Sequence, residues 1–100
     1  MMNPETIEPI DLPEVLEAEW GNDQLMQLFA DLQEGTDITH VQLRTGREDT
    51  STDLKTARDA FLSGQAQAIQ VRYRYEGQHW GDTILPGDPT TKIIRTLLPV

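Results

Sequence analysis

One hundred residues with a net charge of −9 make one domain, long enough to bury a core without metals or disulfides. The chain has no cysteine, which excludes a disulfide scaffold, a thiol nucleophile and a cysteine metal site. The opening MMNPETIEPI has no cation and no apolar run, and no segment approaches membrane-spanning length. A cytoplasmic location, away from membranes, is therefore expected.

The charge is unevenly placed. Residues 1–37 hold ten acids and no Lys or Arg, whereas residues 38–100 hold the other seven acids and all eight bases. An acidic block of this kind argues against binding a phosphate backbone, which needs basic surface. It suits a basic protein partner.

In chain order, Pro4 and Pro9 disfavour a helix and predict an extended or mobile lead-in over residues 1–10. Residues 11–100 then form one α+β domain. A first helix is expected from about Leu12 to Trp20. Asp11 would cap it, and Leu12, Val15, Leu16 and Trp20 would form its apolar stripe. A second helix runs to about Glu34, capped by Asn22 or Asp23 and stopped by Gly35. Leu25, Met26, Leu28, Phe29 and Leu32 form its apolar face. Ile38–Arg44 reads as a strand, with Val41, Leu43 and Thr39 on one face and His40, Gln42 and Arg44 on the other. TGREDTST (45–52) reads as a polar loop. A third helix, capped by Ser51, Thr52 or Asp53 and ending before Gly64, turns Leu54, Ala57 and Phe61 inward.

The strongest signal is AQAIQVRYRYEGQHWGDTIL (66–85). Ile69, Val71, Tyr73 and Tyr75 alternate with Gln70, Arg72, Arg74 and Glu76, and Glu76-Gly77 interrupts the run. This predicts a β-hairpin. A two-residue loop pairs Tyr75 with Gln78, Tyr73 with Trp80, Val71 with Asp82 and Ile69 with Ile84. A four-residue loop slides the pairs but keeps the parity. Asp82 then lands on the apolar face. It is either a carboxylate at the sheet margin that accepts a hydrogen bond from a Tyr hydroxyl or the Trp80 indole, or a buried acid at a functional site. After a turn at Pro86–Pro89, Lys92–Leu98 reads as a last strand, apolar on both faces. That pattern places it inside the sheet or at a homodimer contact. The expected fold is a two-layer α+β domain in the order α-α-β-α-β-β-β, with about four mostly antiparallel strands and two or three helices on one face.

No catalytic or cofactor motif stands out, and His40 and His79 lack metal-ligand spacing. The leading expectation is an interaction domain, an accessory or adaptor module that presents an acidic helical face to a basic protein partner. Its contacts would be Glu14, Glu17, Glu19, Asp23 and Asp31, with Trp20 as an aromatic anchor. A second expectation is a small-ligand or enzymatic site near Tyr73, Trp80 and Asp82. The weakest is nucleic-acid contact through Arg44, Arg72 and Arg74. Stacking on bases needs aromatics on the arginine face, and the alternation puts them on the other one.

Overall fold

The computed structural model describes residues 15–99, and of Val15 the backbone alone. The expected lead-in over residues 1–10, the Asp11 cap, Leu12 of the expected first helix and the partner contact at Glu14 lie outside this range. The elements are β1 (Val15–Trp20), α1 (Asn22–Gly35), β2 (Asp37–Arg44), β3 (Asp49–Ser51), α2 (Leu54–Leu62), β4 (Ala68–Tyr75), β5 (Gln78–Leu85) and β6 (Thr91–Leu98). All six strands form one antiparallel sheet in the order β1-β6-β5-β4-β2-β3.

The β4–β5 hairpin forms as the two-residue-loop reading has it. Glu76 and Gly77 sit at φ 52° and 79°, a pair of positive values suited to the right-handed twist of the flanking strands. Tyr75 pairs with Gln78, Tyr73 with Trp80, Val71 with Asp82 and Ile69 with Ile84. The sheet therefore has an inner face with Val41, Leu43, Ile69, Val71, Tyr73, Ile84 and Ile93, all buried. Its outer face carries His40, Gln42, Arg44, Gln70, Arg72 and Arg74, as alternation requires.

Of the helix expected over Leu12–Trp20, the described part is a strand. Residues 15–20 form β1, paired along its length with β6. The letters LEAEW carry both periods: Leu16 and Trp20 are four apart, yet Leu16, Ala18 and Trp20 also alternate with Glu17 and Glu19. A short helix has little stability of its own, whereas a full row of ladder bonds to β6 satisfies the backbone. The loop expected over 45–52 likewise contains β3. It is three exposed polar residues completing the far edge of the sheet, and nothing in its composition marks a strand. The sheet thus has six strands rather than about four, and two helices cover it.

Both helices lie on the inner face. α1 buries Leu25, Leu28, Phe29 and Leu32 as its periodicity predicts, while Met26 is only partly buried. Its cap is Gly21 rather than Asn22 or Asp23, and the Gly21 N–H donates to Gln24 Oε1 at 3.3 Å. α2 is capped by Asp53, whose carboxylate accepts from the Thr56 N–H at 2.7 Å. Gly64, at φ 80°, follows it in the left-handed region that favours glycine. β2 has a bulge between Ile38 and His40. It turns Ile38 rather than Thr39 toward the core, and Thr39 Oγ1 donates to the Arg72 carbonyl instead. No helix among the described residues is long and apolar enough to cross a membrane.

Candidate functional site

α1 packs on β1 and β2 and against α2, and α2 packs on β2. On the inner face, the hairpin end of the sheet from β1 to β4 lies beside α1 and forms a groove of about 820 Å³. Its floor is built from alternate residues of four strands: Leu16 of β1, Arg95 of β6, Trp80 of β5, and Tyr73 and Tyr75 of β4. Its wall is α1, which contributes Asp31 and Glu34 at the rim and Leu28 and Leu32 lower down. Trp20, at the end of β1, also lines it. Four of the chain's six aromatic residues thus meet in one place, against two carboxylates one helical turn apart.

Beneath the floor lies a buried network. Asp82 is fully buried, and both of its oxygens are used. Oδ1 accepts from the Tyr73 hydroxyl at 3.0 Å and from Arg95 Nε at 2.8 Å, and Oδ2 accepts from Arg95 Nη2 at 2.8 Å. This is the bidentate geometry that makes Arg–carboxylate pairs strong. Strand register builds it. Val71 pairs with Asp82 and Asp82 with Arg95, so acid and base are direct neighbours on one face. The Arg95 side chain is 35% exposed, so the pair runs from the interior to the groove surface.

The Asp82 carboxylate is fully buried rather than at the sheet margin, because its strand neighbours Val71 and Arg95 and the helices over the inner face close it off. It bonds a tyrosine hydroxyl, though not the Trp80 indole. Trp80 Nε1 is buried and has no hydrogen-bond partner among the described residues. With both oxygens occupied and no exposed surface, Asp82 orients Arg95 rather than reaching a substrate.

Burial, with the Asp82 charge next, pushes the Tyr73 hydroxyl well above the usual tyrosine range. Hydrogen bonding to Asp82 likewise strengthens the proton affinity of Arg95. The tyrosine shift fixes a sign. The unfolded chain loses this proton at about pH 10, before the folded one does. The contribution is therefore complete below about pH 10 and is lost as pH rises toward the folded value. We expect the urea midpoint to fall from pH 9 to pH 11, and the fall to be shallower in Tyr73→Phe.

The residues expected to contact a partner are divided among separate surfaces. Glu17 and Glu19 project from β1 on the outer face, opposite Ile94 and Lys92, and Glu19 accepts from Thr90 Oγ1 at 3.0 Å. Asp23 is exposed in the first turn of α1. Asp31 is exposed at the groove rim and accepts from Gln27 Nε2 at 2.9 Å. Trp20 is half-buried in the groove and packed on the core. A continuous acidic helical face through residues 17–31 is therefore not formed, because β1 is a strand and sends Glu17 and Glu19 to the far side of the sheet. Tyr73 and Trp80 do come together as expected. Arg44, Arg72 and Arg74 share the outer face, where Arg44 pairs with Asp49 at 2.9 Å and Arg74 with Asp37 at 3.4 Å.

Arg95 was missed, yet it carried a signal. In KIIRTLL it sits between Ile93 and Leu97 at strand spacing, a lone cation on an apolar face. Asp82 is the lone anion on the same face of the neighbouring strand. Two such misfits on adjacent strands point to each other. Set against protein-family models, curated proteins and solved structures, the chain matches none, so the reading of the groove stands on its own residues.

Proposed function

We propose that the protein is a small interaction domain whose groove receives a basic segment of a partner protein. The observation that carries this reading is an aromatic floor set against an acidic rim. Trp20, Tyr75 and Trp80 offer flat apolar surface over the buried Tyr73, and Asp31 and Glu34 stand above it. Arg95, the cation in this lining, is neutralised by Asp82. A lysine or arginine suits such a groove. Its aliphatic stem lies along the rings, its charge sits over their faces, and the head reaches the carboxylates. The net charge of −9 adds long-range attraction for a basic partner. Of the expected contact residues, Asp31 and Trp20 belong to this surface. Glu34, Tyr75 and Trp80 join them.

The protein carries its own reporter, because its two tryptophans both line the groove. The probe is a synthetic peptide of alternating lysine and leucine, and the control has glutamate for lysine. We expect the basic peptide to shift the tryptophan emission at low salt and the shift to fade at high salt. Asp31→Lys/Glu34→Lys should weaken the basic peptide about tenfold, as reversal of two rim charges does. Equal binding of the acidic peptide, or a double variant that binds like the parent, would reject the reading.

A further inference from the structure

The outer face of the sheet has no helix on it among the described residues. Its centre is a strip on β5 and β6 in which Leu85, Ile94 and Leu98 stand among Thr83 and Thr96, with His79 and Lys92 at its two ends. Leu85 is 36% exposed, and Ile94 and Leu98 are partly exposed. Gly81 lies between the strands' larger side chains, and Leu98 lies against it, 3.4 Å from where a glycine Cβ would stand. The strip is therefore low and smooth.

Charge on this face differs from charge on the whole protein. Its strands carry four acids (Glu17, Glu19, Asp37 and Asp49) and four bases (Arg44, Arg72, Arg74 and Lys92). The face is neutral in a chain of net charge −9. Asp49 pairs with Arg44 and Asp37 with Arg74. Glu17 and Glu19 have no cation partner among the described residues, and Arg72 has no acid partner. The two glutamates lie on β1, to one side of the strip, and Arg72 lies on β4, to the other.

We infer that this face binds a second copy of the chain, packed sheet on sheet about a two-fold axis that runs along β5 and β6. Such an axis exchanges the two sides of the strip. β1 of each copy then lies over β4 of the other, and the strips meet at the centre. In the row of Cα partners Glu17, Ile94, Thr83 and Gln70, Arg72 is the next outer-face residue after Gln70. Glu17 thus comes within one side-chain repeat of the partner's Arg72, twice over.

The other two-fold arrangements are opposed by charge. An axis across the strands lays β1 over β1, acid on acid. Edge pairing of β1 with β1 puts the same glutamates side by side. The overlap is of four strands, because β2 and β3 of each copy lie beyond the edge of the other. Four strands of about eight residues span on the order of 400 Å² in projection, about half of the roughly 800 Å² each partner covers in a standard interface, so a weak dimer is expected.

Sedimentation of the full chain from micromolar to millimolar concentration tests this, with Glu17→Lys and Arg72→Glu. Both sites are exposed, and circular dichroism will confirm folding. The parent is expected to dimerise, and each variant alone should weaken the dimer several-fold. An equimolar mixture should recover it, because the new lysine then meets the new glutamate and the native pair forms at the other contact. A parent that stays monomeric at millimolar concentration overturns the inference. So does a mixture no tighter than either variant. Tighter association of Glu17→Lys alone would place the contact at the β1 edge and overturn it as well. The peptide titration of the groove is read on the opposite face, so the two proposals succeed or fail separately.

Discussion

Arg95→Met is expected to cost about 3 kcal/mol, at the lower end of what breaking a buried ion pair costs. Two observations set the size. Asp82 is fully buried, so its carboxylate would keep one hydrogen bond, from Tyr73, and gain no water. Arg95 is 35% exposed, so solvent already screens part of the pair, and the higher end of the range does not apply. Against a total stability of about 5–15 kcal/mol for a domain of this size, the loss is large. Arg95→Lys should fall between parent and Met, because an ammonium supplies charge without the two-pronged geometry. The informative variant is Asp82→Leu/Arg95→Met. Replacing a buried pair by apolar side chains is often neutral or stabilising. We expect the double variant to regain most of the loss, measured as the denaturant midpoint at unchanged slope. If Arg95→Met unfolds within about 0.5 kcal/mol of the parent, the pair contributes little and the account of the floor is wrong.

That outcome bears on specificity as well as stability. On the inner face of β5, Asp82 is flanked by Trp80 and Ile84. On β6, Arg95 is flanked by Ile93 and Leu97. A shift of β5 by two residues along β6 keeps every apolar residue on the inner face, so hydrophobic burial alone resists it weakly. The same shift would leave Asp82 and Arg95 without each other. The polar pair therefore selects one register among those that hydrophobicity permits.

The parts of the fold that were legible in the sequence are those where one local rule acted alone. Glu76-Gly77 between alternating runs set the hairpin and the parity of the β4–β5 pairing, and the two-residue loop gave its register. Leu25, Leu28, Phe29 and Leu32 marked α1, and Asp53 with Gly64 bounded α2. The parts that were not legible depended on a distant strand. Residues 16–20 satisfy a helical and a strand period at once, and only β6, more than seventy residues away, decides between them. β3 exists because β2 offers a free edge, not because DTS prefers to be extended. The acidic block looked like one surface when residues 12–20 were read as helix. As a strand, the segment sends Glu17 and Glu19 to the outer face and leaves Trp20 in the groove. The groove itself was half legible. Tyr73 and Trp80 followed from the hairpin, whereas the carboxylates of α1 and the Asp82–Arg95 pair needed the sheet order.

Phe29→Ala is expected to cost about 3–5 kcal/mol, the range for truncating a buried aromatic. Phe29 is 2% exposed on the buried face of α1. Its ring meets Phe61 of α2 at 6.0 Å between centroids and 58° between planes, a tilted contact that holds the two helices together. The space left cannot close without moving α1 toward the sheet, and α1 is the wall of the groove. Phe29→Leu keeps more of the volume and should lose less. Because Trp20 and Trp80 both line the groove, their emission reports whether α1 stays in place, while circular dichroism reports the helices and strands together. With four buried residues of α1 in the same core as the sheet, both signals are expected to change together in the parent and in Phe29→Ala, at a lower midpoint in the variant. An emission change that precedes the loss of secondary structure would make α1 a separately opening unit. The groove would then be assembled on binding, and the affinity for a basic segment would include the cost of docking the helix.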